Sequence, residues 1–172
     1  FNSLQEVSSR PDDITSRTIV IENGNALANS FNTYSRQLRD FQTTSIRETE
    51  TITSEVNESL RQLAQVNKLV LSGGATGSSP DVLDARDQLL TKLSNNINFF
   101  VDYGKSGEVK ITAGDSSRGK ILLEETNFSV LNHSIQESKI VFNINRDGKS
   151  TLLNGISSGS LAGLKDFHDV TS

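Results

Sequence analysis

Ile19-Val-Ile-Glu-Asn-Gly-Asn-Ala-Leu27-Ala-Asn-Ser-Phe31-Asn-Thr-Tyr34-Ser-Arg-Gln-Leu38-Arg-Asp-Phe41 opens the pattern that decides the fold. From it, apolar or small residues recur in steps of three and four through Ser45, Thr49, Ile52, Val56, Ser59 or Leu60, Leu63, Asn67 and Val70. Such steps gather side chains onto one face of a helix, as a coiled-coil-like rod requires. The pattern predicts a helix over residues 15–71. A straight helix of that length would run about 85 Å, far longer than the width of a compact domain. Ser45, Thr49 and Asn67 weaken the stripe. Gly24 and the Thr-rich residues 42–53 lower helix propensity, which predicts fraying in that middle stretch. A rod of this kind is held by partner helices, and the chain beyond residue 71 supplies too few of them.

The sequence on either side agrees with this reading. Phe1, Leu4 and Val7 share a helical face, and Pro11 bounds it. Asp12 and Asp13 then offer acceptors to the first amides of the long helix. Gly73, Gly74, Gly77 and Pro80 make a turn. Residues 81–95 form a second, shorter helix with Val82, Leu83, Leu89, Leu90 and Leu93 on its apolar side. Asp84, Arg86 and Asp87 on that helix read as solvated surface with one salt bridge. The pattern then changes to strands: Ile97 to Tyr103, Val109 to Ala113, Lys120 to Leu123, Phe128 to Leu131 and Lys139 to Ile144. We expect a small antiparallel lobe of four or five strands. Residues 156–170 return to a helical pattern starting near Ser160. The fold class is therefore α+β: a helical rod region over 1–96, a strand lobe over 97–150, and a return segment over 151–172 that begins another helix. With no Met anywhere and a helical pattern that stops short at its end, the sequence reads as a piece of a longer chain.

Chemistry is sparse. The 172 residues contain no Cys, which removes disulfides, thiolate metal sites and cysteine nucleophiles. A formal charge of -4 argues against general nucleic-acid binding, and no apolar run is long enough to span a membrane. Gly148-Lys149-Ser150 resembles the end of a phosphate loop, but Ile144 stands where that loop needs glycine, and Asp147-Gly148 reads as a hairpin turn. His133 and His168 have no spacing that pairs them, and His133 reads as surface. No aspartate run has calcium-loop spacing, and no serine sits in a nucleophile elbow. Asn57, Asn127 and Asn132 head Asn-x-Ser triplets, as expected by chance in an Asn- and Ser-rich chain. Gly155 and Gly159 read as loop glycines ahead of a helix that starts near Ser160, and Gly163 as a place where that helix can approach a neighbour closely. We expect no catalytic residue, no metal site and no cofactor.

Three segments carry a family resemblance. Phe1-Asn-Ser-Leu-Gln-Glu-Val-Ser-Ser-Arg-Pro-Asp-Asp13, Val82-Leu-Asp-Ala-Arg-Asp-Gln-Leu-Leu90 and Ser158-Gly-Ser-Leu-Ala-Gly-Leu-Lys-Asp-Phe-His-Asp169 resemble, in order and spacing, the rod region of the flagellar hook-associated protein 1 family. The resemblance covers nearly the whole chain. It implies a structural, non-enzymatic subunit of the bacterial flagellum, exported unfolded through the flagellar type III channel to the hook–filament junction outside the cell. It also implies self-association into a ring, contacts with the hook protein and the second junction protein, and an export chaperone that touches other parts of the subunit. Flagellin, the second junction protein and a rod-shaped protein-binding module are the alternatives.

On this resemblance Leu4, Pro11 and Asp13 fix where the chain enters the rod. Phe31, Leu38, Phe41, Ile52, Val56 and Leu63 are core. Leu83, Arg86, Asp87 and Leu90 lock the returning helix. Leu161, Leu164 and Phe167 begin a further helix, in which His168 stands where the family usually has arginine. Helices from elsewhere in the subunit would cover the stripe that these residues leave bare.

Overall fold

Asp13 starts the long helix by satisfying its first donors. Its Oδ1 accepts from the Thr15 amide at 3.1 Å, and its Oδ2 accepts from the Ser16 hydroxyl at 2.7 Å. Those bonds, the Ser16 hydroxyl first, hold the carboxyl below its ordinary pKa. Helix α1 then runs Ile14–Ser72. Ser and Thr are poor helix formers when their hydroxyls compete for backbone partners. Here the hydroxyls turn back onto the carbonyl four residues earlier, as Thr18 does on Ile14, Ser30 on Ala26 and Thr51 on Arg47. The computed structural model describes residues 5, 8–9, 12–73 and 79–171. Leu4, Pro11, Gly74 and Gly77 lie outside them.

The chain divides into two units, Phe1–Thr43 and Thr44–Ser172. The described part of the first is helical from Ile14 onward and exposes most of its large apolar side chains. The second holds the core. Helix α2, Pro80–Asn96, opens with proline in its first turn, where the missing N–H costs nothing, and ends where Ile97 turns to extended backbone.

Among the described residues seven strands follow, in two antiparallel sheets. β1 (Phe99–Tyr103), β2 (Val109–Ala113), β3 (Ile121–Glu124) and β4 (Asn127–Phe128) form the first, in that order. β5 (Val130–Gln136), β6 (Lys139–Arg146) and β7 (Lys149–Leu152) form the second. The expected lobe of four or five strands thus resolves into seven. One added strand arises where Ser129 divides β4 from β5, and the other is β7, after the Asp147-Gly148 turn. Glu125 takes φ 53 and starts a tight β3–β4 hairpin. The Ser129 amide donates to the Leu122 carbonyl at 2.8 Å and its hydroxyl to the Ile121 carbonyl at 2.7 Å, and there the first sheet ends. Asp147 (φ 52) and Gly148 (φ 77) form the two-residue turn between Arg146 and Lys149, so Gly148-Lys149-Ser150 lies in a hairpin and not at a strand-to-helix phosphate loop.

Helix α3, Ser160–Thr171, closes the second unit. Gly159 precedes it at φ +86, and a Cβ there would lie 2.6 Å from the carbonyl carbon of Asn96. Only glycine permits that approach of the loop to the end of α2. Among the described residues nothing outside its own stretch of helix lies within 4 Å of a Cβ built on Gly163, so that glycine serves no close packing there. One core joins all layers. Val56, Leu60 and Leu63 of α1, Leu90 and Leu93 of α2, and Leu161 of α3 pack with Ile111, Leu122 and Leu123 of the first sheet and Leu131, Ile140 and Phe142 of the second.

Candidate assembly surface

Polar residues on the buried face of α1 seat the two sheets. Asn67 is fully buried. Its side-chain oxygen accepts from the Val109 amide at 2.9 Å, and its Nδ2 donates to the carbonyls of Val109 and Glu125, each at 2.7 Å. Asn57 does the same for the second sheet, accepting from the Leu131 amide at 2.7 Å and donating to its carbonyl at 2.9 Å. Each asparagine acts as a short piece of strand offered by a helix. Asn98, between α2 and β1, ties two loops: it accepts from the Ser157 amide at 3.0 Å and donates to Asp115 and the Ser157 hydroxyl, both at 2.9 Å. None of these roles was anticipated. The visible signal was only that asparagine occupied a stripe position at Asn67 and that Asn57 lay inside the helix.

The shorter helices are anchored by charge. Arg86 is buried and not solvated as expected. Its guanidinium donates to the Gly107 carbonyl at 2.7 Å and to Asp87 at 2.8 Å, and it lies 5.1 Å from the centre of the Tyr103 ring. On α3, Asp169 accepts from the Ile140 amide of β6 at 3.0 Å and from Lys165 at 2.6 Å. Burial raises the Asp169 carboxyl, but the Lys165 and Ile140 hydrogen bonds and the charges of Lys165 and His168 bring it below its ordinary pKa. His168 is buried, its Nδ1 3.1 Å from the Ser45 hydroxyl. Ser45, Thr49 and Thr53 are buried in continuous helix, so the stretch from Thr44 onward is packed where fraying was expected. At Ser45 the small side chain meets His168 of α3. His133 is half-buried.

The residues named from the sequence fall into three groups. Val56, Leu63, Leu90 and Leu161 meet in the core, with Ile52 half-buried against it. Leu83 and Leu164 are half-buried, and Asp87 and Phe167 are exposed. Phe31, Leu38 and Phe41 are 65%, 46% and 55% exposed, as are Leu27 and Tyr34 at 59% and 63%. Leu27, Phe31, Tyr34 and Leu38 follow one another in steps of four, three and four, which places them along a single helix face. This apolar face of the first unit is the candidate assembly surface. Among the described residues, no group of three or more His, Cys, Asp or Glu could hold a metal ion, and no helix is long and apolar enough to cross a membrane.

The family model described as flagellar hook-associated protein FlgK helical domain matches residues 1–172. The chain belongs to the flagellar hook-associated protein 1 family. It is 30% identical over 169 residues to flagellar hook-associated protein 1 of Bacillus subtilis, covering 94% of this chain and 32% of that protein. It is also 30% identical over 115 residues to the protein of that name from Salmonella typhimurium, covering 65% of this chain and 21% of that one. The chain therefore spans about a third or less of the length of these relatives. The flagellar hook junction protein FlgK from Burkholderia pseudomallei shares the fold, with a TM-score of 0.81 at 22% identity over 96% of this chain and 31% of that one.

Proposed function

We propose that the chain is part of a structural subunit that joins hook to filament in the bacterial flagellum, exported by the flagellar type III system and working outside the cell. The exposed apolar face through Leu27, Phe31, Tyr34 and Leu38, in a chain that the family matches from end to end, carries this reading. A contiguous apolar face on a helix is a binding surface. Other helices of the same subunit and of neighbouring subunits in a ring would cover it, burying Phe31, Leu38 and Phe41 as core. Leu4, Pro11 and Asp13 would set the start of the rod, and Arg86 and Asp87 would lock α2 against the β1–β2 turn. The functional regions are then the rod over 1–96, the strand lobe over 97–150 and the return segment over 151–172. The hook protein and the second junction protein are the neighbours along the axis, an export chaperone binds other parts of the subunit, and no catalysis or cofactor is involved.

Immunogold electron microscopy of detached flagella, with antibody raised against this chain, tests the reading. We expect a single band of gold between hook and filament. Label along the whole filament would make the protein flagellin-like. No label on otherwise accessible flagella would overturn the flagellar reading in favour of a separate rod-shaped binding module.

A further inference from the structure

Four cations gather where the two sheets approach each other. Arg118 and Lys120 stand on the loop into β3, and Arg146 and Lys149 pair across the β6–β7 turn. With Ile144 and Thr151 they line an open cleft of about 520 Å³, in which Asp147 is the one carboxylate. Arg146 reaches Glu124 at 3.3 Å and Asp147 at 3.8 Å, yet its Nη1 is buried with no hydrogen-bond partner. Among the described residues Arg118, Lys120 and Lys149 make no ion pair. Glu124 is shared between Lys110 at 2.6 Å and Arg146 at 3.3 Å, so it does not also balance Arg118, Lys120 and Lys149. Arg118, Lys120 and Lys149, in a chain of net charge -4, make a local field opposite in sign to the whole.

The complementary charges lie on α2. Asp81 and Asp84 are exposed, three residues apart and so on one flank of the helix, and among the described residues neither makes an ion pair. Asp87 beside them is held by Arg86. Asp84 and Asp87 border a shallow depression with Gln88 and Thr91. Within one chain the free carboxylates and the free cations belong to different elements and are not joined.

We infer that the basic cleft receives the Asp81 and Asp84 flank of α2 from a second copy of the chain. The contact is head-to-tail, using two different patches, as closed rings and helical arrays require. Carboxylates entering the cleft pair with the exposed Lys120 and Lys149 in charge-assisted hydrogen bonds. The inference rests on the reading of the chain as part of a self-associating axial subunit.

The test uses the protein at its native length, assembled on cells. The chain has no Cys, so K149C with D84C, in a background free of other cysteines, offers one possible disulfide across the contact. Mild oxidation of isolated flagella should give a ladder of covalent oligomers from the double variant and none from either single one. The paired reversals K120E/K149E and D81K/D84K should each lower the amount of subunit on the flagellum about tenfold, and combining them in one chain should restore it to within about twofold. All four side chains are exposed, so an unchanged urea midpoint separates lost contact from lost folding. A missing ladder in flagella that show the junction band overturns the inference and leaves the proposed function standing. Reversals that assemble normally, or that the combination does not rescue, also overturn it and point to a different acidic partner or none. A missing junction band in unaltered cells overturns both.

Discussion

Asn67 shows what one side chain decides in this fold. Replacing it by leucine would leave the Val109 amide and carbonyl and the Glu125 carbonyl without partners in a buried place. An unsatisfied buried polar group costs roughly 1–3 kcal/mol, so N67L should lower stability by about 3 kcal/mol or more, read as a fall in the urea midpoint. N67D separates the two halves of the contact: it keeps an acceptor for the Val109 amide and loses both donated bonds. It should also be strongly destabilising, because its charge would face two carbonyls. Asn57 is half-buried and water can replace part of its contacts, so N57L should cost about 1–2 kcal/mol. Equal effects at the two positions would mean that burial does not set the difference. Gly159 is sensitive for another reason. G159A adds a left-handed backbone penalty to a Cβ placed 2.6 Å from Asn96, and should cost about 2–3 kcal/mol in the same measurement.

At the scale of elements, α3 is held to β6 by a carboxylate, and this gives it a pH dependence. The folded pKa of Asp169 is below its unfolded value. Its contribution is therefore fully present above the unfolded value, near pH 4, and is lost as pH falls through the folded value. D169N should flatten the acid side of the stability curve below about pH 4 and leave its shape from pH 6 to 8 unchanged, as urea unfolding across pH would show. Helix α1 should also divide along its length. An isolated helix is marginal in water without tertiary packing. In the chain alone, amides upstream of Thr44 should exchange quickly, and those from Ser45 to Val70 should be protected by the core. Uniform protection along α1 would overturn this.

The same helix shows how far its sequence could be read. Steps of three and four were enough to place α1, and Asp147-Gly148 was enough to place a hairpin. The partners of Asn57 and Asn67 lie 74 and 42 residues away, and no local pattern reports a contact of that range. Ser45, Thr49 and Asn67 therefore read as defects in an apolar stripe. In the fold Ser45 meets His168 of α3 and Asn67 feeds a sheet edge, while Thr49 is buried and bonds the Ser45 carbonyl. The break at Ser129 was hidden for a similar reason, since its two bonds run across to β3 and leave no mark on its neighbours in sequence.

At the scale of the whole molecule, the stripe spacing continues from Leu27 to Val70, but burial begins only at Ser45. Among the described residues this stretch of the stripe adds nothing to the core, and the proposed function predicts that its energetic value appears in assembly. This distinguishes two classes of substitution. Phe31 is 65% exposed, and F31D should shift the urea midpoint of the isolated chain by no more than an ordinary surface change, about 0.5 kcal/mol. In the native-length protein the same change would place a charge in an apolar interface, and the subunit should be exported but fail to remain on the flagellum. L63D is the converse control: Leu63 is fully buried in the second unit, so the isolated chain itself should unfold. Secretion into the medium with an intact fold for F31D, against loss of the folded chain for L63D, would locate the function of residues 14–43 in binding. Normal incorporation of F31D would remove the apolar face from the assembly surface, whatever its exposure.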